Sequence, residues 1–238
     1  MSVATRDRPW QTTGEARSSY VRTMFSDIAP VYDLINTVMT AGSHRRWRRQ
    51  AVRLLPLIPG ERALDLCCGT GDFAFDLKAA GAGLVLGVDF AQPMLTIAKR
   101  KSAGTALRWA MADALRLPLA DGSVHAITVG WGLRNMADIP AGLREMHRVL
   151  ADGGRFVVLD IARPNGLLAR PARFYFYRVV PLIGAALGWK SAYTYLPNSL
   201  DHFPDRVELK RLTLEAGFRE AETHDLAFGM LTVLRGVK

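Results

Sequence analysis

Residues 63–73 read ALDLCCGTGDF, and the fold is decided by how that stretch is read. The first five residues are an apolar run suited to a buried strand, the next few form a small-residue turn, and Asp72 opens a helix expected over about residues 72–80. A glycine-rich turn between a first strand and a first helix brings backbone N–H groups close to a ligand. A pyrophosphate-binding turn would read G-x-G-x-x-G. Here Gly69 and Gly71 are present, no third glycine follows, and Asp72 stands where a phosphate would sit. A carboxylate favours the helix N-terminus but repels a pyrophosphate, so the turn suits a cation and argues against a nicotinamide dehydrogenase.

Working outward, LVLGVDF (84–90), ALRWAMAD (106–113), AITVGWG (126–132) and GRFVVLDIA (154–162) read as further strands, with helical segments between the earlier ones and before the last. Strand and helix alternate five times, which predicts a parallel sheet covered by helices on both faces. A last helix over 205–216, closed by Gly217, precedes strands at 218–227 and 230–236. The expected organisation is one α/β domain over 1–238, doubly wound, with a loose arm at 1–20 and a helical N-terminal extension at 21–58. Within the extension the helical pattern runs from Ser26 to about Leu55, and residues 163–203 form an inserted lid over the substrate.

Composition narrows the classes. With 49% hydrophobic and 22% charged residues, the chain is an ordinary globular protein. Its 31 Lys and Arg against 22 Asp and Glu give a net charge of +9, compatible with nucleic acid, an anionic membrane or an anionic ligand. The only cysteines, Cys67 and Cys68, are adjacent and supply neither a disulfide framework nor a CxxC metal pattern. Residues 1–20 lack an apolar signal segment, and no stretch approaches the roughly 20 apolar residues of a membrane span. A cytoplasmic protein is expected, without a metal.

Three acids then stand at the ends of successive strands. Asp65 precedes the turn, Asp89 ends the second strand about 20 residues further on, where α/β nucleotide folds hold a ribose, and Asp113 ends the third. Each alone reads equally well as a solvated strand-end aspartate. Together they suit S-adenosylmethionine, which has an ammonium, a sulfonium and two ribose hydroxyls. Asp89 would accept from the ribose and Asp113 from the adenine amino group, with Ala114 supplying a backbone N–H.

MFSDIAPVYDLINTVMTAGSHRRWRR (24–49), LDLCCGTGDF (64–73), GLRNMAD (132–138) and AYTYLPNSLDHFPD (192–205) together resemble the ubiquinone/menaquinone biosynthesis C-methyltransferases, a family of class I methyltransferases. The second motif, with HRVLADGGRFVVLD, is shared by many methyltransferases, whereas the other three are particular to this family. The resemblance implies a seven-stranded, mostly parallel sheet with a reversed final hairpin and S-adenosylmethionine as methyl donor. It implies donor binding at Thr70, Asp89, Asp113 and Ala114, with Gly130 nearby; Asp65, Gly69, Gly71 and Phe90 complete the expected donor site. Two residues depart from the pattern: Cys67 replaces a common glycine, and His125 replaces a common aspartate.

Arg134 and Asn135 follow the fourth strand. Carbon methylation of a dihydroxy-aromatic ring needs a hydroxyl to lose its proton, and a phenol with a pKa of roughly 10 keeps it at neutral pH. A guanidinium beside the oxygen stabilises the phenolate. Arg134 suits that task, Asn135 can orient the hydroxyl or a water, and the resemblance places Tyr32 close by. Arg134 could instead pair with a carboxylate such as Asp138 and only stabilise the loop. Arginine is a poor base, so the proton acceptor stays open among Tyr32, Asp33, His44, His202 and water held by Asn135.

The resemblance implies methylation of a polyprenyl quinol, demethylmenaquinol to menaquinol, with the benzoquinol intermediate of ubiquinone synthesis as the alternative. A soluble small phenol is a further alternative. An RNA methyltransferase would carry an N/D-P-P-Y/F tetrapeptide where GWGLRN stands, so no nucleic-acid partner is expected. A non-catalytic donor sensor would not need the Arg-Asn pair. The lid mixes Phe174, Tyr175, Phe176, Tyr177, Leu182, Ile183 and Trp189 with Arg170, Arg173, Arg178 and Lys190, a composition suited to an interface. Peripheral association with an anionic membrane surface on its cytoplasmic face is the expectation, and a homodimer is compatible with the sequence.

Overall fold

The computed structural model describes residues 14–162, 171, 174–179, 182, 195, 198–200 and 202–238. Much of the expected lid, including Arg170, Arg173, Ile183, Trp189 and Lys190, lies outside the described residues, as does the arm before residue 14.

Seven strands form one sheet: β1 (Arg62–Leu66), β2 (Leu84–Asp89), β3 (Arg108–Met111), β4 (Val124–Gly130), β5 (Leu150–Ile161), β6 (Glu220–Leu226) and β7 (Leu231–Val237). Their order across the sheet is β3-β2-β1-β4-β5-β7-β6. The first five run parallel, and β7 returns antiparallel between β5 and β6. This is the mostly parallel sheet expected from the strand–helix alternation, with the reversed final hairpin that the family resemblance implied.

Apolar strands that alternate sides account for the two cores. On one face, Ala63, Val85, Ala126, Val157 and Val233 pack under the N-terminal helices and α4 (Asp72–Ala79). On the other, Leu64, Leu66, Ile127, Val129 and Val158 pack against α6 (Ile139–Val149) and α7 (Arg206–Glu215). A strand buried on both faces must be apolar throughout, which is why these strands read as continuous hydrophobic runs. α5 (Gln92–Lys101) connects β2 to β3.

The N-terminal region departs from expectation. Helix α1 spans Gly14–Ile28, so the loose arm does not reach residue 20. Val21, Met24 and Ile28 recur at helical spacing and are buried, which holds α1 on the domain. The continuous helical pattern expected from Ser26 to Leu55 is broken into α1, a 3-10 turn at Ala29–Val31, α2 (Tyr32–Thr40) and α3 (His44–Arg53). Pro30 imposes the first break and left-handed Ala41 and Gly42 the second. Strand boundaries also shift. β3 is shorter than 106–113, and β5 begins at Leu150, where the register slips between Val124 and Ala126 of β4.

The chain order reverses between β1 and β4, since β1 has β2 on one side and β4 on the other. Ligands of doubly wound sheets bind at the C-terminal ends of the strands at such a switch point. The residues singled out in the sequence converge there.

Candidate active site

The turn after β1 is built from left-handed residues: Cys67 at φ 55°, Gly69 at φ 53° and Gly71 at φ 89°. Gly71 is needed for closeness as well as for its torsion, because a Cβ there would lie 2.3 Å from the Trp109 ring. That ring is fixed by a 2.8 Å hydrogen bond from Nε1 to Ser102 Oγ. Asp65 lies beneath the turn with both oxygens taken by the protein: one accepts from Ala74 N at 3.0 Å, the other from Thr128 Oγ1 at 3.0 Å. Thr128 is its register partner on β4. Burial pushes the Asp65 carboxyl up to about 8 despite these bonds. Asp65 therefore ties β1, β4 and α4 together, and the structure gives it an anchoring place rather than a free donor-facing oxygen.

Gly69, Asp89, Phe90, Asp113, Ala114 and Gly130 line one groove over the strand ends. Asp89 accepts from Gly69 N at 2.8 Å and Ala91 N at 2.9 Å, and burial raises its pKa against those bonds. Asp113 is exposed and accepts from Leu115 N at 2.9 Å. Gly130 must be a glycine, since a Cβ would meet the Phe73 ring at 2.7 Å. Ser18, Val21 and Phe25 of α1 cover the same groove.

Thr70 and Asp65 line an adjoining compartment with Asp72, His44 and Arg48. Here the structure adds a network that the sequence did not reveal. Thr70 Oγ1 donates to Asp33 Oδ1 at 2.6 Å, and Lys101 Nζ reaches Asp33 Oδ2 at 2.9 Å and Asp72 Oδ1 at 2.7 Å. Arg48 completes it, 3.0 Å from Asp72 Oδ2 and 3.0 Å from Asp76 Oδ2. Burial opposes ionisation of Asp72, but Arg48 and Lys101 hold its carboxyl below the ordinary range.

Beyond this groove lies a mostly apolar cavity of about 560 Å³, bounded by α1, α2, α3, the end of β5 and the β6–β7 turn. Phe25, Tyr32, Trp131 and Asn135 line both spaces and form the wall between them. The wall is set by the end of β4. Trp131 adopts a left-handed φ of 53° and donates its N–H to Leu159 O at 2.8 Å, and a 3-10 turn follows at Leu133–Asn135.

Arg134 is buried and pairs with Asp160, one residue before the end of β5. Its backbone N–H also donates to Asp160 Oδ2 at 3.3 Å, and Nη1 reaches Trp131 O at 3.2 Å. The alternative partner, Asp138, instead caps α6 by accepting from Ala141 N at 2.9 Å. Asp160 was legible as one more strand-end acid in VVLD (157–160), but its pairing with Arg134 depends on β4 and β5 being neighbours. Asn135 Nδ2 donates to Trp131 O at 2.9 Å, which leaves Oδ1 facing away from it. Among the described residues that line the cavity, Arg134 Nε and Asn135 Oδ1 are buried without a hydrogen-bond partner. Buried polar atoms normally find partners, and these two face an apolar cavity where a polar group of a ligand could meet them.

Tyr32 stays a phenol, because burial raises its pKa more than Asn36 and Arg134 lower it. His44 lines the cavity, and burial and Arg48 lower its pKa. His202 is exposed, with Nδ1 3.2 Å from Asn198 O, and is not part of the cavity wall.

A family model described as the ubiE/COQ5 methyltransferase family matches residues 12–238. The demethylmenaquinone methyltransferase of Thermus thermophilus is 45% identical over 215 residues, covering 88% of this chain and 97% of that one. A ubiquinone/menaquinone biosynthesis C-methyltransferase of Geobacter sulfurreducens is 39% identical over 225 residues, covering 92% and 88%. Among solved structures, a methyltransferase of Thermotoga maritima, described as a possible histamine N-methyltransferase, superposes with a TM-score of 0.66 at 24% identity, covering 91% of this chain and 99% of that one. That likeness concerns the fold alone.

The raised pKa of Asp65 has a measurable consequence. Between its unfolded value of about 4 and its folded value of about 8, the folded state binds the extra proton. Its contribution to stability is therefore full below about pH 4 and is lost as pH rises through about 8. Denaturant melts of the wild type and Asp65→Asn at about pH 5 and about pH 9 are expected to show a smaller loss of stability with pH in the variant. Equal losses would mean that Asp65 is already ionised in the fold at the lower pH.

Proposed function

We propose that this chain, which belongs to the ubiE/COQ5 methyltransferase family, methylates a ring carbon of a polyprenyl hydroquinone, converting demethylmenaquinol to menaquinol. The observation that carries this reading is the wall of Phe25, Tyr32, Trp131 and Asn135 shared by an acid-lined groove and an apolar cavity, with buried Arg134 beside it. The names of the Thermus and Geobacter relatives support the same substrate class.

The donor residues fit S-adenosylmethionine. Carboxylates and close-packed glycines at strand ends suit a cationic nucleoside, and among the described residues none lining the groove is the cation that a pyrophosphate needs. When bound, S-adenosylmethionine supplies an electrophilic methyl group carried on a sulfonium. Asp89 would accept from the ribose hydroxyls, Asp113 from the adenine amino group, and Gly69, Phe90, Ala114 and Gly130 would shape the groove. Thr70 and the backbone of the turn would face the amino-acid end.

In the cavity, Arg134 would stabilise the phenolate while Asp160 keeps the guanidinium oriented. Asn135 Oδ1 is an acceptor, so it would take a hydrogen bond from a hydroxyl. A hydroquinone offers that hydroxyl and a quinone does not. Tyr32, a phenol between the two spaces, would donate to a ring oxygen. Apolar Met24, Ile28, Met39, Ile161 and Leu231 suit the ring and the first isoprene units.

A long tail must leave the cavity at its rim. Val38 and Ala227 line the cavity, and Val38, Phe228 next to Ala227 in the chain, and Leu34 one turn before Val38 are exposed, Phe228 by 84%. α3 contributes His44 and Trp47 to the cavity and turns Arg45, Arg46 and Arg49 outward. Exposed apolar residues beside a basic helix suit peripheral docking on an anionic bilayer, from which the quinol would enter. Among the described residues no helix is long and apolar enough to cross a membrane.

Incubation of the purified protein with methyl-labelled donor and chemically reduced demethylmenaquinol is expected to give labelled menaquinol, with no product from the oxidised quinone. Label entering only the benzoquinol precursor would move the substrate to ubiquinone synthesis, and label entering only water-soluble phenols would overturn the reading. At the rim, Phe228→Asp is expected to reduce co-sedimentation with anionic vesicles at low salt and to slow turnover of long-tailed quinols. A short-tailed analogue should be spared. Unchanged sedimentation would remove the rim from membrane docking.

A further inference from the structure

Methylation at a ring carbon releases one proton for every turnover. The ring carbon bonds to the methyl carbon as the methyl–sulfur bond breaks with its electrons on sulfur. The phenolate oxygen supplies the push, so the ring first becomes a dienone. The same ring carbon then gives up its hydrogen as a proton, and the pair of that C–H bond restores the aromatic phenolate. The oxygen regains the proton it lost on ionising, which leaves one proton released in all. A basic group lining the cavity would take the proton directly instead of leaving it to water.

We propose that His44, through Nε2, is the catalytic base that receives this proton. The proposal rests on the reading of the cavity as the quinol site and deepens it. Its geometric support comes from Thr40. The Thr40 hydroxyl lies 2.6 Å from Asn36 O, one turn back on α2, and donates its only proton there. The same Oγ1 lies 2.8 Å from His44 Nδ1 and 3.4 Å from His44 N. With its proton committed, Oγ1 can only accept from the ring, so Nδ1 carries the N–H. Neutral imidazole has one N–H, which leaves Nε2 with its lone pair. His44 is 5% exposed and lines both the cavity and the compartment beside the turn.

The surroundings keep that lone pair available. Burial, Arg48 and Arg45 on its own helix hold His44 below the ordinary histidine range, outweighing Asp72 of α4 and Asp33 of α2. Tyr32 of α2 and Arg134 of the 3-10 turn also line the same cavity, one a phenol and the other a cation. The competing bases are already engaged. Asp33 holds Thr70 and Lys101, Asp72 holds Arg48 and Lys101, and Asp160 holds Arg134. Burial raises the pKa of Tyr32, Tyr175 and Tyr195, so each stays protonated at neutral pH.

A purely structural role is the rival explanation, since the Thr40–His44 contact also clasps the turn between α2 and α3. The two are separable. Long-range ¹H–¹⁵N spectra of the free protein at about pH 7 are expected to show His44 neutral with its proton on Nδ1. An Nε2–H tautomer, or an imidazolium, overturns the proposal without any activity measurement. In turnover, His44→Gln is expected to lose at least about 10²-fold in kcat, in line with the usual contribution of a general base. It should also abolish the fall in rate on acidification and retain donor affinity by calorimetry. Thr40→Val, which keeps the ring but removes its acceptor, should shift that acidic fall. A folded His44→Gln enzyme with wild-type rate, or with a wild-type pH profile, overturns the assignment. If His44→Gln does not fold, the spectra and Thr40→Val decide. A wild type inactive on every quinol overturns the reading of the cavity, and this role of His44 with it, whatever the tautomer.

Discussion

The pairing of Arg134 with Asp160 is the constraint around which the site is organised. A guanidinium at the end of a buried strand is costly to desolvate, and only a well-placed carboxylate with further hydrogen bonds makes it tolerable. Parallel pairing of β4 and β5 provides that carboxylate, because Gly130 ends β4 opposite Leu159 and β5 runs on through Asp160 beside the departing chain. Asp160 then takes both the side chain and the backbone N–H of Arg134. This fixes the 3-10 turn, and with it Asn135, in the wall between groove and cavity. Removing one partner would leave the other as an uncompensated buried charge, at a cost of about 3–5 kcal/mol.

The N-terminal helices depend on the same turn. Arg17 of α1 donates to Arg134 O at 2.6 Å, and Phe25 and Tyr32 then complete the wall. A second tie runs through Asp33, Lys101, Thr70 and Asp72 and joins α2 to the glycine turn of the sheet domain. The extension is thus a structural half of both spaces. The sheet contributes the acids and glycines of the groove, while the helices contribute most of the apolar cavity.

Much of this was legible because buried parallel strands must be apolar and because acids at strand ends stand out against them. The parallel strands and the grouping of Asp89, Asp113 and Gly69 at their ends followed from local pattern, whereas the reversed hairpin and the place of Gly130 came only from the family resemblance. What escaped were relations between distant segments. Nothing in the sequence near Asp65 shows that Ala74 N and Thr128 Oγ1 occupy both its oxygens. Asp138, close in sequence, was the natural partner for Arg134, yet a helix N-terminus claims it and Asp160 lies 26 residues away. Helix α1 was hidden for a different reason. Only Val21, Met24 and Ile28 are buried along its length, and its polar first turns read as an arm.

The central claim is that Arg134 makes a bound phenol easier to ionise. A short-tailed naphthol that the enzyme binds but cannot methylate reports this directly, through the ultraviolet absorbance of its phenolate during a pH titration. The account predicts a bound pKa below that of the free naphthol, with the shift largely lost in Arg134→Lys, whose ammonium cannot reproduce the fork of donors. A bound pKa equal to or above the free value in the wild type would contradict it.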